Sequence, residues 1–312
     1  MLNLILDLDT GVDDSIALSY AALNPEVNLL GVTGTFGNVT TDMGARNALA
    51  VLAMMGRSDV PVFEGAYHSL TTESFSPHDV SVRIHGRNGT GNVVFPAAER
   101  SVEKEAASDF LIRMMRQNED MVIVTTGPST NLASALMKAP ELSSWKGRVV
   151  IMGGALTVRG NVSHFAEANI SQDPEAAKIV FESGLDVTMV GLDVTMRSRL
   201  RKSDAQAWRA TGTEAGKAFA GMLEHYILNT IGGDDTYVHD PSAVVCALHP
   251  EYFSLLPLAL TVELDGADRG RTVGDESRIL EKAPKTRAAV NVDSGKVEKE
   301  LKIIGEYFTR IS

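Results

Sequence analysis

The 312-residue chain is predicted to form an α/β fold: an open, mostly parallel central sheet of Rossmann-like type, flanked by helices on both faces. Three observations predict it. Apolar runs of four to eight residues alternate with stretches of helical period. Runs such as Met121-Val122-Ile123-Val124 are apolar at every position, as strands covered on both faces must be. Glycine-bearing polar segments repeatedly follow these runs, and in such sheets ligands bind beyond the carboxyl ends of the strands. The site is therefore expected there.

Residues 2–6 read as the first strand, and the next stretch is the centre of the chain's chemistry. Asp7, Asp9, Asp13 and Asp14 fall within eight residues, Gly11 permits a turn, and Ile16, Ala17 and Tyr20 follow at helical spacing. Residues 29–33 form a second strand that leads into the loop Gly34-Thr35-Phe36-Gly37-Asn38. A helix then opens at Thr41-Asp42 and stops at Gly56. Residues 60–63 are a short strand. Residues 64–96, rich in Gly, Ser and Pro, show little periodicity and read as a long loop, functional or mobile. A helix is expected over 102–116, a strand over 121–125, and a helix again from Leu132 after Thr126-Gly127-Pro128-Ser129-Thr130-Asn131. The strand at 149–152 ends in Gly153-Gly154. Residues 160–170 are loop-like, and Asp173-Pro174-Glu175 opens a helix with an acidic cap and Pro in the first turn. The strand at 187–190 ends at Gly191-Leu192-Asp193. Later come a helix over 213–228, a short apolar helix after His239-Asp240-Pro241, late strands at 258–264 and 288–292, and a closing helix over 298–308. Trp145 and Trp208 fall in expected surface helices or loops. No repeat or linker interrupts the chain, so one domain over residues 1–312 is expected.

Composition narrows the function. A net charge of −11 argues against a nucleic-acid or anionic-membrane surface. The one cysteine, Cys246, lies in an apolar run and allows no disulfide within the chain. No apolar run is long enough to span a bilayer, and acids begin at Asp7 where a signal peptide would be basic and then apolar. A soluble, cytoplasmic protein is expected.

Capping a helix needs one acid. Four at the end of a buried strand repel one another unless a cation or shared protons offset the charge. A hard, oxygen-preferring ion such as Ca²⁺ or Mg²⁺ is the expected partner. Asn38, Asn161, Glu167, Asn169 and Asp240 would gather at the same end of the sheet, and amide and carboxylate side chains suit the hydroxyls of a sugar.

Asp7-Leu8-Asp9-Thr10-Gly11-Val12-Asp13-Asp14 resembles the N-terminal fingerprint of the nucleoside hydrolases, the inosine-uridine-preferring ribohydrolase family. Further matching pieces occur in order: Gly37-Asn38, His85-Gly86, the segment 126–131, Met152-Gly153-Gly154, Gly160-Asn161 through Asn169, Asp173-Pro174-Glu175, Gly191-Leu192-Asp193 and His239-Asp240-Pro241. The resemblance spans nearly the whole chain. It implies the fold of that family and a Ca²⁺-dependent hydrolysis of the N-glycosidic bond of ribonucleosides. Asp9, Asp14, the backbone carbonyl of Thr126 and Asp240 would then hold the metal, and Asp9 would also act as general base. Asp13, Asn38, Asn161, Glu167 and Asn169 would bind ribose, with Met152 packed beside it and Asp7 behind. His239 would protonate the leaving base, and His85, Tyr226 and Tyr237 would surround it. The family resemblance also implies a homodimer or homotetramer.

Two departures stand out. Thr10 replaces a frequent Pro, with small effect expected. Ala168 replaces a frequent aromatic residue, which widens the expected pocket near the 5′ end of the sugar. Neither tryptophan lies where purine-specific members stack the base, so strict purine specificity by that means is not expected. Two other readings compete: a haloacid-dehalogenase-type Mg²⁺ phosphatase, which leaves Asp13 and Asp14 unexplained, and a non-catalytic nucleoside- or ribose-binding protein.

Overall fold

Strand β1 (Leu2–Leu8) sends Leu4, Leu6 and Leu8 into one hydrophobic core and Ile5 into another, so both faces of the sheet are covered. The computed structural model describes residues 1–311. From β1 the chain passes through α1 (Val12–Leu23), β2 (Val27–Gly34), α2 (Thr41–Met54), β3 (Val62–Glu64), α3 (Asp79–His85) and α4 (Ala107–Gln117). It continues with β4 (Val122–Thr125), α5 (Thr130–Lys138), β5 (Arg148–Met152), α6 (Ala168–Gln172), α7 (Pro174–Glu182), β6 (Asp186–Val190) and α8 (Leu192–Thr195). The last third holds β7 (Arg199–Arg201), α9 (Lys202–Ala210), α10 (Glu214–Asn229), β8 (Asp235–Tyr237) and α11 (Asp240–Leu248). It closes with β9 (Phe253–Pro257), β10 (Leu260–Val262), β11 (Thr272–Gly274), β12 (Thr286–Val292) and α12 (Ser294–Phe308).

Eight strands form the main sheet in the order β3-β2-β1-β4-β5-β6-β12-β9. All neighbours are parallel except β12 and β9. The order reverses between β1 and β4, where Leu4 pairs with Val122 and Asp7 with Thr125. Loops leaving these two strands diverge to opposite faces and open a crevice between them. The acidic turn after β1 and Thr126 after β4 stand on its two sides. Two antiparallel ribbons, β7–β8 and β10–β11, lie outside the sheet.

The structure corrects several expectations. Residues 64–96 contain α3, which brings His85 inward; Pro77 and Asp79 are its start signals. The late strand expected over 258–264 is β10, paired with β11 in a ribbon, and the antiparallel edge of the sheet is β9. The helix expected from residue 102 begins at Ala107. Trp145 and Trp208 are not at the surface: they are 7% and 1% exposed. Trp145 donates its indole N–H to the Asn118 carbonyl (2.7 Å), which satisfies its one polar atom, and Trp208 packs edge-on against Phe308 of α12. Among the described residues no helix is long and apolar enough to cross a membrane.

Candidate active site

The turn from β1 to α1 spans only residues 9–11, so its acids have little freedom. Asp14 accepts from the Gly11 backbone N–H (2.8 Å) and from the Thr126 hydroxyl (2.7 Å), joining the start of α1 to the end of β4. Asp9 accepts from the backbone N–H of Asn38 (2.6 Å) and from its side-chain amide (3.2 Å). The same amide reaches Asp14 (3.0 Å). Asn38 therefore straps two acids of the turn together. Gly37, at φ +154°, leaves the room for this: a Cβ there would overlap the Asp9 carboxylate. Asp7 points into the sheet, where one oxygen accepts from Thr33 (2.6 Å) and Asn131 (2.7 Å) and the other has no partner. Burial raises its pKa to about 6 against those two hydrogen bonds.

Carboxylate oxygens of Asp13, Asp14 and Asp240 come within 4.8 Å of one another, all buried. Asp240 reaches the cluster from the first turn of α11. Burial, and then repulsion from neighbouring acids, raises the proton affinity of Asp9 and Asp240 well above the carboxylate norm. One oxygen of Asp13 has no hydrogen-bond partner. A cluster of hard oxygen donors carrying excess negative charge, with an acceptor left over, fits a divalent cation that would displace protons on binding. Asp9 itself is taken up by Asn38, and Asp13 stands in the tightest triplet instead.

Asp13 accepts a hydrogen bond from Tyr226 (2.9 Å) at its other oxygen. His85 lies 3.7 Å from Asp13, but its Nδ1 accepts the Val12 backbone N–H (3.1 Å) and so carries no proton. Its pKa, lowered to about 4 by burial, agrees with a neutral ring. His239 is fixed through Nδ1 to the Thr195 hydroxyl (2.8 Å) and stands beside Tyr237, whose ring is capped by Arg199 at 4.0 Å. Burial lowers the His239 pKa, with Asp13 opposing.

On the other side, Glu167 caps α6. Its oxygens accept backbone N–H groups from Asn169 (3.0 Å), Gly154 (3.0 Å) and Ile170 (3.1 Å). The Asn169 amide donates to the carbonyls of Thr126 (2.6 Å) and Met152 (3.1 Å), tying the ends of β4 and β5 together. Asn161 is exposed and accepts from the Ala168 N–H (2.9 Å). These side chains line a cavity of about 340 Å³ that contains Asp13, Asn38, His85, Thr126, Met152, Asn161, Glu167, Asn169, Tyr226, Tyr237, His239 and Asp240. Asp9 and Asp14 lie beneath its lining. The sequence reading missed Val80, Arg83 and Ile84 of α3 and Thr230 and Ile231 after α10, which also form walls.

Comparison with known proteins gives the family. The family model for inosine-uridine preferring nucleoside hydrolases matches residues 4–299. The chain belongs to this family. It is an N-ribosyl hydrolase, and the phosphatase reading falls away. A pyrimidine-specific ribonucleoside hydrolase RihA of Enterobacter is 36% identical over 298 residues, covering 94% of each chain. A probable uridine nucleosidase 2 of Arabidopsis thaliana is 33% identical and covers 95% of each. Among solved structures, a purine-preferring ribonucleoside hydrolase from Gardnerella vaginalis superposes with a TM-score of 0.96 at 44% identity over 99% of each chain.

Proposed function

We propose that the whole chain, acting as one domain, uses Ca²⁺ to hydrolyse the N-glycosidic bond of both purine and pyrimidine ribonucleosides to ribose and free base. The observation that carries this reading is the buried Asp13–Asp14–Asp240 triplet, two of whose acids line a cavity with polar amide and carboxylate groups on one side and His and Tyr rings on the other. The names of the similar proteins cover both base classes, and no tryptophan lines the cavity to restrict the base.

Asp9, Asp14, the Thr126 carbonyl and Asp240 would hold the ion, with Asp13 at its edge; a donor set made of many protein oxygens suits Ca²⁺, which takes more of them than Mg²⁺ does. Bound there, the cation supplies positive charge that fixes a vicinal diol and makes a water more acidic. Asp9 takes the proton of the attacking water. Its raised proton affinity suits a base, and the Asn38 strap sets its orientation. Asp13, Asn38, Asn161, Glu167 and Asn169 bind ribose hydroxyls, and their oxygens stabilise the positive charge that develops on the sugar as the bond to the base breaks. Met152 packs against the ring. His239 gives a proton to the departing base from Nε2, since Nδ1 is held by Thr195; burial makes that proton easy to release. Tyr226 spends its hydroxyl hydrogen on Asp13 and so positions the acid, while neutral His85 and Tyr237 flank the base.

A homodimer or homotetramer is expected, supported by the exposed Ile279 and Leu280, and sedimentation tests it. The buried, unpaired Cys246 is in keeping with action in the cytoplasm on free nucleosides. The deciding experiment incubates the protein with inosine, uridine, cytidine and adenosine, with Ca²⁺ or with chelator. Reducing sugar should appear with Ca²⁺ and stop with chelator. If none appears from any nucleoside, or if Asp9→Ala leaves the rate unchanged, the reading is wrong.

A further inference from the structure

We propose that the same cavity accepts ribonucleosides carrying an uncharged substituent at C5′, such as a methylthio group, and that the enzyme cleaves them. This rests on the nucleoside-hydrolysis reading and extends its substrate class.

The argument begins with the shape of a ribofuranoside. C1′ and C4′ lie at opposite ends of the C2′–C3′ edge. When that diol is pinned at the Asp13–Asp14–Asp240 cluster, the base and C5′ must point in opposite directions. The cavity has two unlike ends to receive them. Asp13 is joined to Tyr226, at the end with the aromatic and imidazole rings that suit a planar base. Thr126 is joined to Asn169, at the end formed by Asn161, Glu167 and Ala168. C5′ therefore points toward Ala168.

That end is open. Ala168 contributes only a methyl group and is half-buried, while Asn161 is exposed and Val162 is 61% exposed. It is also satisfied without a ligand. Both Glu167 oxygens accept backbone N–H groups, and the Asn161 carbonyl oxygen accepts the Ala168 N–H. A substrate lacking a 5′-hydroxyl therefore leaves these acceptors paired, so the penalty for an orphaned buried polar group does not arise. An uncharged group is specified because Glu167 and the acidic cluster oppose an anion. The reaction is unchanged: water adds to C1′, the C1′–N bond breaks with its electron pair going to the base, the base takes a proton, and 5′-substituted ribose leaves.

The test compares kcat/KM, with Ca²⁺ present, for inosine and uridine and for their 5′-deoxy and 5′-methylthio derivatives. The derivatives of whichever parent is faster should fall within about tenfold of it. Filling the open end with Ala168→Phe should lower the methylthio-to-parent ratio by at least about tenfold, mainly through KM, and Ala168→Leu should lower it by less. A larger loss with the native protein, or a ratio that neither variant moves, overturns the proposal while leaving nucleoside hydrolysis standing. Failure to cleave either parent instead overturns the functional reading on which it rests.

Discussion

Asp9 and Asp240 share one field of buried negative charge but differ in what holds them. Asp9 has two hydrogen bonds from Asn38, whereas Asp240 comes from a distant helix to complete the carboxylate triplet. Their substitutions should separate. Asp240→Asn should abolish the rise in melting temperature that Ca²⁺ produces and lower kcat/KM at least about a hundredfold. Asp9→Asn should lower kcat by roughly 10²–10⁴-fold and shrink that thermal shift by less than Asp240→Asn does, since the carboxylate triplet survives. Calorimetry alongside a ribose-release assay checks both. Asp7 gives a different signature. Its native pKa of about 6 lies above its ordinary 3.8, so between those values the folded state holds a proton that the unfolded state has lost. Stability contributed by the protonated form is present below pH 3.8 and declines as pH rises toward 6, by up to about 3 kcal/mol. In chelator, Asp7→Asn should show a smaller fall in melting temperature across pH 4–6 than the native protein. The acids of the turn were legible because four carboxylates gathered at the end of one apolar strand have no cheap alternative. The hydrogen bonds that divide their tasks were not, because Asn38, Thr126 and Tyr226 come from far along the chain.

At the scale of elements, the site depends on close approach between turns. Gly37→Ala puts a methyl group where the Asp9 carboxylate sits, at a backbone angle unfavourable to other residues. It should cut activity at least about tenfold while lowering stability by about 1–3 kcal/mol, which kinetics and denaturant melts on one preparation would distinguish. Strands β1, β4 and β5 were readable because both faces are buried and most of their positions are apolar. Helix α3 was not, because its seven residues lie among prolines, serines and glycines and depend on packing against α10 for support. Strand β9 was missed because its outward residues are polar or exposed at the sheet edge. The tryptophans misled for another reason: α9 carries enough charge to look solvated, yet Trp208 faces α12. Trp208→Ala should therefore cost about 3–5 kcal/mol, with a matching loss in melting temperature and no change in base preference.

Across the whole molecule, alternating strands and helices sufficed to foretell the parallel sheet and the end at which the site lies, because βαβ connections leave few other arrangements. Strand order was not legible, since nothing local says that β4 returns to the far side of β1. A ligand that binds only the folded chain adds stability by mass action. Calcium at a hundred times its dissociation constant should contribute about 2.7 kcal/mol, visible as a shift of roughly 5 °C that chelator reverses. The strand order also has a bearing on inheritance. Most groups at the sugar and the cation descend from the segments that follow β1, β2, β4 and β5 in the sheet, and Asp240 joins them from α11. The ring-bearing wall comes from α3, the end of α10 and the β7–β8 ribbon, all outside the sheet. Such a division lets mutation retune the choice of base while the bond-breaking apparatus stays fixed, so relatives with the same chemistry can diverge in diet.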